Sequence, residues 1–233
     1  MKYAAWEPIY ERIVADFGYD PTEDRAARDV LSDLVEPFDF DRLDFRGRTV
    51  AVAGGSDTLD SELDVLRDAD RTVAASGAAA VMEAAGIRPD LVVTDLDKTP
   101  ETAISLSRAG VPVAAHAHGD NVPAVREYVP RFDGESVFGT TQVEPLDNVY
   151  NFGGFTDGDR AAFLADHLGA DTLRFPGWDF DDPTVSSEKA HKLRWAARLL
   201  GCLERRRNEQ FPVLDGRRES IADVPQDTSW RCD

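Results

Sequence analysis

From Arg48 to about Arg206, short apolar runs alternate with helical stretches, and that alternation narrows the folds open to the chain. Thr49–Ala53, Thr72–Ala75, Leu91–Thr94, Val111–Ala115, Ser136–Gly139, Val149–Phe152 and Thr172–Phe175 have the length and apolar content of buried strands. Between them lie a helix carrying Leu59, Leu63 and Leu66, and an Ala-rich helix through Met82 stopped by Gly86. Further on come Pro100–Ala109 stopped by Gly110, a helix to about Tyr128, Thr156–Leu168, and a long final helix, Ser187–Arg206. Strands alternating with helices build an α/β fold: a mostly parallel sheet in three layers. No obvious helix joins Ser136–Gly139 to Val149–Phe152, so part of the sheet departs from simple strand–helix–strand units.

The third run ends in the densest chemistry. Arg88–Pro100 reads RPDLVVTDLDKTP, where Thr99 and Pro100 resemble a helix N-cap and first helical residue. In extended backbone, residues two apart point the same way, so the Asp95 and Asp97 carboxylates converge. Two such anions repel unless a cation lies between them. Oxygen-only ligation without Cys or His suits a hard ion such as Mg²⁺. Acidic residues also decorate loops in a chain this rich in Asp, but the position at a buried strand's carboxyl end favours the functional reading.

Other unusual residues fall at equivalent strand ends. Gly54-Gly55-Ser56 lets backbone N–H groups approach a phosphate or simply makes a tight turn, and it matches neither GxGxxG nor a Walker A loop. His116 and His118 form an HxH pair; without a third His nearby, phosphate or metal-shell duty is favoured over zinc. Asp120 reads as a further acid or a helix N-cap, followed by Asn121. In NFGGFTDGDR (151–160), Thr156 and Asp159 match a capping box, which leaves Asp157 and Gly153-Gly154 unexplained. Lys189 and Lys192 lie three apart on one helix and are two of only four lysines, so either they reach a phosphate or they sit on a solvated face.

Residues 1–45 read as a helical segment. Trp6, Ile9, Ile13 and Phe17 share a face, and Asp20-Pro21-Thr22-Glu23 opens a second helix to about Val35. With no concentrated chemistry, it is expected to be a peripheral cap or the contact of a homodimer. Residues 46–207 form the catalytic α/β domain. Residues 208–233 are a polar tail whose apolar patch, Phe211–Leu214, is expected to drape on the surface. The 44 acidic residues against 26 basic ones give a net charge of −18. That balance argues against nucleic-acid and anionic-membrane partners and suggests solubility in concentrated salt. Arg205-Arg206-Arg207 is the basic end of a helix. Cys202 and Cys232 are far apart without zinc spacing, implying neither a disulfide framework nor a structural metal. With no apolar leader or 20-residue apolar span, the protein is expected to be cytoplasmic.

Taken together, RPDLVVTDLD, HAHGDN, the TTQ at 140–142 and NFGGFTDGDRA resemble the archaeal 6-hydroxymethyl-7,8-dihydropterin pyrophosphokinases, over about Gly54 to Lys192. The resemblance implies a Rossmann-like, thiamin pyrophosphokinase-like fold. Thiamin pyrophosphokinases end the equivalent strand in a GDxDS-like loop. Here Thr94-Asp95-Leu96-Asp97-Lys98 keeps both acids without the flanking Gly and Ser, favouring the pterin type. The implied reaction is Mg²⁺-dependent transfer of pyrophosphate from ATP to the pterin hydroxymethyl group, releasing AMP. On this resemblance Asp95 and Asp97 hold Mg²⁺, with Asp120 or Asp157 as a further ligand; Asp157 alternatively orients the attacking hydroxyl. Gly54, Gly55, Ser56, His116, His118, Asn121, Lys189 and Lys192 face ATP, and Thr141, Gln142, Asn148 and Asn151 the pterin edge. Two rivals share the acid pair: a nucleotide-sugar glycosyltransferase and a non-catalytic nucleotide-binding module.

The charge balance makes one prediction of its own. Screening of self-repulsion should raise the melting temperature from low to molar KCl; equal stability and activity at both would contradict a surface adapted to salt.

Overall fold

The computed structural model describes residues 1–221. Seven strands form one sheet: β1 (Thr49–Ala53), β2 (Arg71–Ala75), β3 (Leu91–Thr94), β4 (Val113–Ala117), β5 (Val137–Thr141), β6 (Val149–Tyr150) and β7 (Thr172–Arg174). Their order is β6-β5-β4-β3-β2-β1-β7, and every pairing is parallel. Alternate strand residues point to opposite faces, so the sheet separates two cores. Val50, Val52, Val73, Leu91, Val93 and Phe138 pack with α1 (Tyr3–Phe17), α7 (Asp157–His167) and α8 (Ser187–Arg207). Ala51, Ala53, Ala74, Val92, Val113 and Ala115 pack with α2 (Pro21–Ser32), α3 (Leu63–Arg67), α4 (Ala78–Ala84), α5 (Pro100–Arg108) and α6 (Val122–Tyr128). Right-handed crossovers running one way along the sheet put α3 to α6 on one face. From β6 at the far edge the chain returns across the other face: α7 crosses β3, β2 and β1 before β7 joins beside β1.

Two strands lie further along the chain than the sequence suggests. β4 runs to Ala117 and β5 to Thr141, because their ladder continues through His116 opposite Thr140. The polar side chains of that pair satisfy each other, with His116 Nδ1 3.0 Å from Thr140 Oγ1. The β5–β6 connection contains no helix, as expected.

The N-terminal segment is not peripheral. Trp6, Ile9, Tyr10 and Ile13 are buried in one core, and Ala27 and Leu31 of α2 in the other. Trp6 also donates its indole N–H to the Gln142 carbonyl at 2.8 Å. Nor do residues 208–221 drape loosely. Phe211 and Leu214 are fully buried, and the buried Glu204 accepts from Phe211 N–H at 2.6 Å and from Arg218 at 2.7 Å. A short α9 (Arg218–Ile221) closes this segment; residues 222–233 of the expected tail lie outside the described residues. Arg206 and Arg207 do more than end a helix, since both clamp α8 to Asp166 of α7. Cys202 is buried on α8; Cys232 lies outside the described residues. Among the described residues no helix is long and apolar enough to cross a membrane.

Because Trp6 joins the N-terminal helix to the main core, Trp6→Ala should cost about 3–5 kcal/mol in a urea titration. A loss within the range of ordinary surface substitutions would return α1 to a peripheral role.

Candidate active site

The carboxyl ends of the strands open into a cleft of about 710 Å³. Its wall takes Gly54–Ser56 from beyond β1, Ser76 and Gly77 from beyond β2, and Asp95, Asp97 and Lys98 from beyond β3. His118 to Asp120 follow β4, Gln142 follows β5, and Trp178 to Phe180 follow β7. The start of α7 adds Thr156, Asp157 and Arg160; α8 adds Glu188, Lys189 and Lys192.

At the centre, carboxylate oxygens of Asp95, Asp97 and Asp157 lie within 4.8 Å of one another. Asp95 and Asp97 converge, but not along extended backbone. Leu96 between them is left-handed (φ 69°), turning the chain so that both acids face the cleft. Ser76 (φ 49°) and Thr99 (φ 45°) are left-handed as well. Three of the four non-glycine residues with positive φ among the described ones therefore cluster around this loop, where the fold overrides local strain. Thr99 does precede a helix beginning at Pro100, but its side chain makes no capping bond.

Crowding shapes the charge of the cluster. Burial, the hydrogen bond with Asp95 and repulsion from that carboxylate push Asp97 up to about 6. Burial also favours a proton on Asp95. Hydrogen bonds from His118 and Asp97, with Arg160 nearby, outweigh it and hold Asp95 well below the usual carboxylate range. Burial first, then repulsion from Asp95, raises Asp157 despite its Arg160 partner. The cluster thus retains protons because three anions cannot share this space. An all-carboxylate donor set in this condition fits a hard divalent cation, which would displace those protons.

The structure distributes the remaining sequence candidates unevenly. Lys189 and Lys192 reach the cleft, the latter paired with Glu188 at 3.2 Å. His118 lies between Asp120 (2.8 Å) and Asp95 (3.6 Å). Asp120 therefore stands on the rim, turned to His118, and the third carboxylate of the cluster is Asp157. Gly54 and Ser56 line the cleft, yet their N–H groups already donate to Pro176 O (2.9 Å) and Gly177 O (3.0 Å), which removes them as a phosphate cradle. A Cβ on Gly54 would meet Gly177 O at 2.4 Å, so close backbone packing requires that glycine; Gly55 has no such neighbour.

His116 is buried in the sheet and does not line the cleft. Asn121 braces the site from behind, donating to the Asp95 (2.9 Å) and His116 (2.8 Å) carbonyls. Asn148 secures the end of α2 through Ser32 O and Val35 O, both at 2.8 Å. Asn151 bonds Val143 O at 2.8 Å, and Thr141 accepts from Val143 N–H at 3.3 Å. Of the four pterin-edge candidates, only Gln142 lines the cleft. Asp159 and Thr156 make their capping pair (2.7 Å). The close approach at Gly154 (φ +94°) is to Arg160, whose Cα a Cβ would meet at 2.5 Å.

Several wall residues escaped the sequence reading. Lys98 carried a signal: it adjoins the acid pair, so three of the chain's four lysines line the cleft. Arg160 stands three residues after Asp157 and pairs with it at 3.2 Å. Ser76 donates to Asp97 at 3.3 Å. Asp24 of α2 had no local signal. It accepts from Tyr10 OH (2.5 Å), Gln142 Nε2 (2.8 Å) and Gly119 N–H (2.8 Å), linking α2 to two cleft loops.

Comparison with known proteins agrees with this geometry. Residues 29–184 match the family model of 6-hydroxymethylpterin diphosphokinase MptE-like proteins, a span that includes the whole acidic cluster. The chain belongs to this family. Relatives of the chain include the 6-hydroxymethyl-7,8-dihydropterin pyrophosphokinase of Pyrococcus furiosus, 40% identical over 88% of the chain and 95% of that protein. Proteins of the same name from Methanothermobacter thermautotrophicus and Methanocaldococcus jannaschii are 36% and 32% identical, each over 88% of the chain and 96% of the relative.

The cluster makes a signed prediction. Asp97 holds its proton more tightly folded than unfolded. Metal-free stability should therefore decline as pH rises from the ordinary carboxylate range through about 6. Mg²⁺ competes with that proton, so Mg²⁺ affinity should increase across the same window. Asp97→Asn should raise the metal-free melting temperature and abolish the Mg²⁺-induced rise. A full Mg²⁺ shift in this variant, read by thermal melting, would contradict the cation site.

Proposed function

We propose that the protein transfers pyrophosphate from ATP to the hydroxymethyl group of 6-hydroxymethyl-7,8-dihydropterin, releasing AMP, in a Mg²⁺-dependent reaction. The observation that carries this reading is the convergence of Asp95, Asp97 and Asp157 at the centre of a cleft that also holds Lys98, Lys189 and Lys192. Family membership supplies the substrate class, through relatives named for that pyrophosphokinase activity.

The hydroxyl oxygen attacks the β-phosphorus, the bond from that phosphorus to the α,β-bridging oxygen breaks, and AMP departs. The hydroxyl proton leaves to the carboxylate cluster or to water. Such transfer needs little covalent chemistry from protein and mainly requires alignment and charge neutralisation. Mg²⁺ held by Asp95, Asp97 and Asp157 would neutralise triphosphate oxygens in a cleft otherwise lined with acids such as Asp120, Asp179, Asp182 and Glu188. The three lysines act as mobile point charges around the same triphosphate. Two aromatic groups line the cleft, Tyr19 with Phe155 and Trp178 with Phe180. They offer apolar surfaces to two planar ring systems, a purine and a pterin. The glycosyltransferase and binding-module readings rest on the acid pair alone and gain no observation of their own.

The test is to incubate protein, ATP, Mg²⁺ and hydroxymethyldihydropterin. AMP should form only when the pterin is present, and Asp95→Asn, Asp97→Asn and Asp157→Asn should each slow it by about 10² or more. Lys98→Met and Lys189→Met should raise the KM for ATP more than that for the pterin. AMP formation independent of the pterin, or near-normal rates in the Asp variants, would overturn the assignment.

A further inference from the structure

Arg160 is held on two of its three sides. Nη1 donates to Asp157 Oδ1 and Nη2 to Gln142 Oε1, each at 3.2 Å. Its Nε is buried with no partner among the described residues, and so is His116 Nε2. Both side chains line one small cavity, together with Thr140, Thr141, Phe152 and Leu164. The cavity measures about 10 Å³, the threshold for a single water. Leaving two buried polar atoms of residues that line one cavity unsatisfied is costly, so an arrangement that serves both is expected.

The hydrogen-bond directions around the cavity follow from its neighbours. The Thr140 hydroxyl donates to Ala115 O at 3.3 Å and so accepts from His116 Nδ1–H at 3.0 Å. The buried ring is neutral, carries its proton on Nδ1, and presents Nε2 as an acceptor. Arg160 Nε–H can only donate. A water can accept from the arginine and donate to the histidine.

We propose that one water joins Arg160 Nε to His116 Nε2, and that His116 is thereby a positioning residue for the carboxylate cluster. It fixes the plane of the guanidinium that orients Asp157 on one side and Gln142 on the other. This rests on the reading of Asp157 as a cation ligand. It replaces the phosphate contact expected of His116 from sequence, and it accounts for a histidine opposite Thr140 inside a parallel sheet.

The test begins with the unaltered protein. Ring-nitrogen NMR should show Nδ1 protonated and Nε2 bare, and a high-resolution crystal structure should show one water within hydrogen-bond distance of both orphan atoms. Two variants then separate the bridge from a packing role. His116→Gln carries an acceptor to the Nε2 position, whereas His116→Asn keeps a donor for Thr140 but stops short of the cavity. Mg²⁺ binding, followed by calorimetry and by the Mg²⁺-induced melting shift, should stay near wild type in the Gln variant and weaken about 10-fold or more in the Asn variant. An Nε2-protonated ring, a dry cavity, or wild-type Mg²⁺ binding in the Asn variant would overturn the proposal. If neither variant folds, the tautomer and the cavity water in the unaltered protein decide it. A protein that shows the water, the tautomer and the Gln–Asn difference but forms no AMP would remove the pyrophosphokinase reading and leave the bridge standing.

Discussion

Three carboxylates that cannot all ionise in one place are the constraint around which this cleft is built. Oxygens of Asp95, Asp97 and Asp157 lie within 4.8 Å of one another, and burial makes their repulsion worse rather than better. Such a cluster survives folding only if something holds its members in place. Leu96 in left-handed backbone aims the first two acids, the Thr156–Asp159 capping pair starts α7 at Asp157, and Arg160 supplies a partial counter-charge. On the proposed reading a cation held by the three acids would recover the cost of that arrangement.

Around this cluster the fold uses close backbone contacts to fix loops. Gly54 packs against Gly177, Trp178 Nε1 donates to Val52 O at 2.8 Å, and a Cβ on Gly158 would meet the Trp178 ring at 2.7 Å. The β7 loop is thereby wedged between the β1 loop and α7. On the other side, Asp24 ties α2 to Gly119 and Gln142, and Gln142 passes the connection on to Arg160. A chain of bonded side chains thus runs from Tyr10 on α1 to Asp157 at the centre. The N-terminal helices are part of the site's support.

The α/β architecture was legible because each strand has a compact apolar run with a turn signal behind it, as in Leu91–Thr94 and Thr49–Ala53. The acid pair was legible because two carboxylates at a buried strand's end have few structural explanations. What local sequence could not show was which polar residues turn inward. His116, Thr141, Asn148 and Asn151 stand near true cleft residues in sequence, yet His116 lies inside the sheet paired with Thr140, and the other three are each hydrogen-bonded to backbone away from the cleft. Asp24 posed the opposite difficulty: an ordinary acid in the first turn of a helix, brought to the site by folding over distances that no local pattern records. The tail misled because Phe211–Leu214 is short and flanked by charge, while the core it joins lies elsewhere in the chain, with Phe175 against the Phe211 ring and Glu204 of α8 accepting from Phe211 N–H.

The central claim is that Asp95, Asp97 and Asp157 together form the divalent-cation site of this cleft. A crystal structure with Mn²⁺ and a non-hydrolysable ATP analogue tests it most directly, through the anomalous signal of the metal. The account predicts one peak within bonding distance of an oxygen from each of the three carboxylates, with analogue phosphate oxygens completing its coordination. A metal bound instead between His118 and Asp120, or a peak that leaves Asp157 paired only with Arg160, would contradict it.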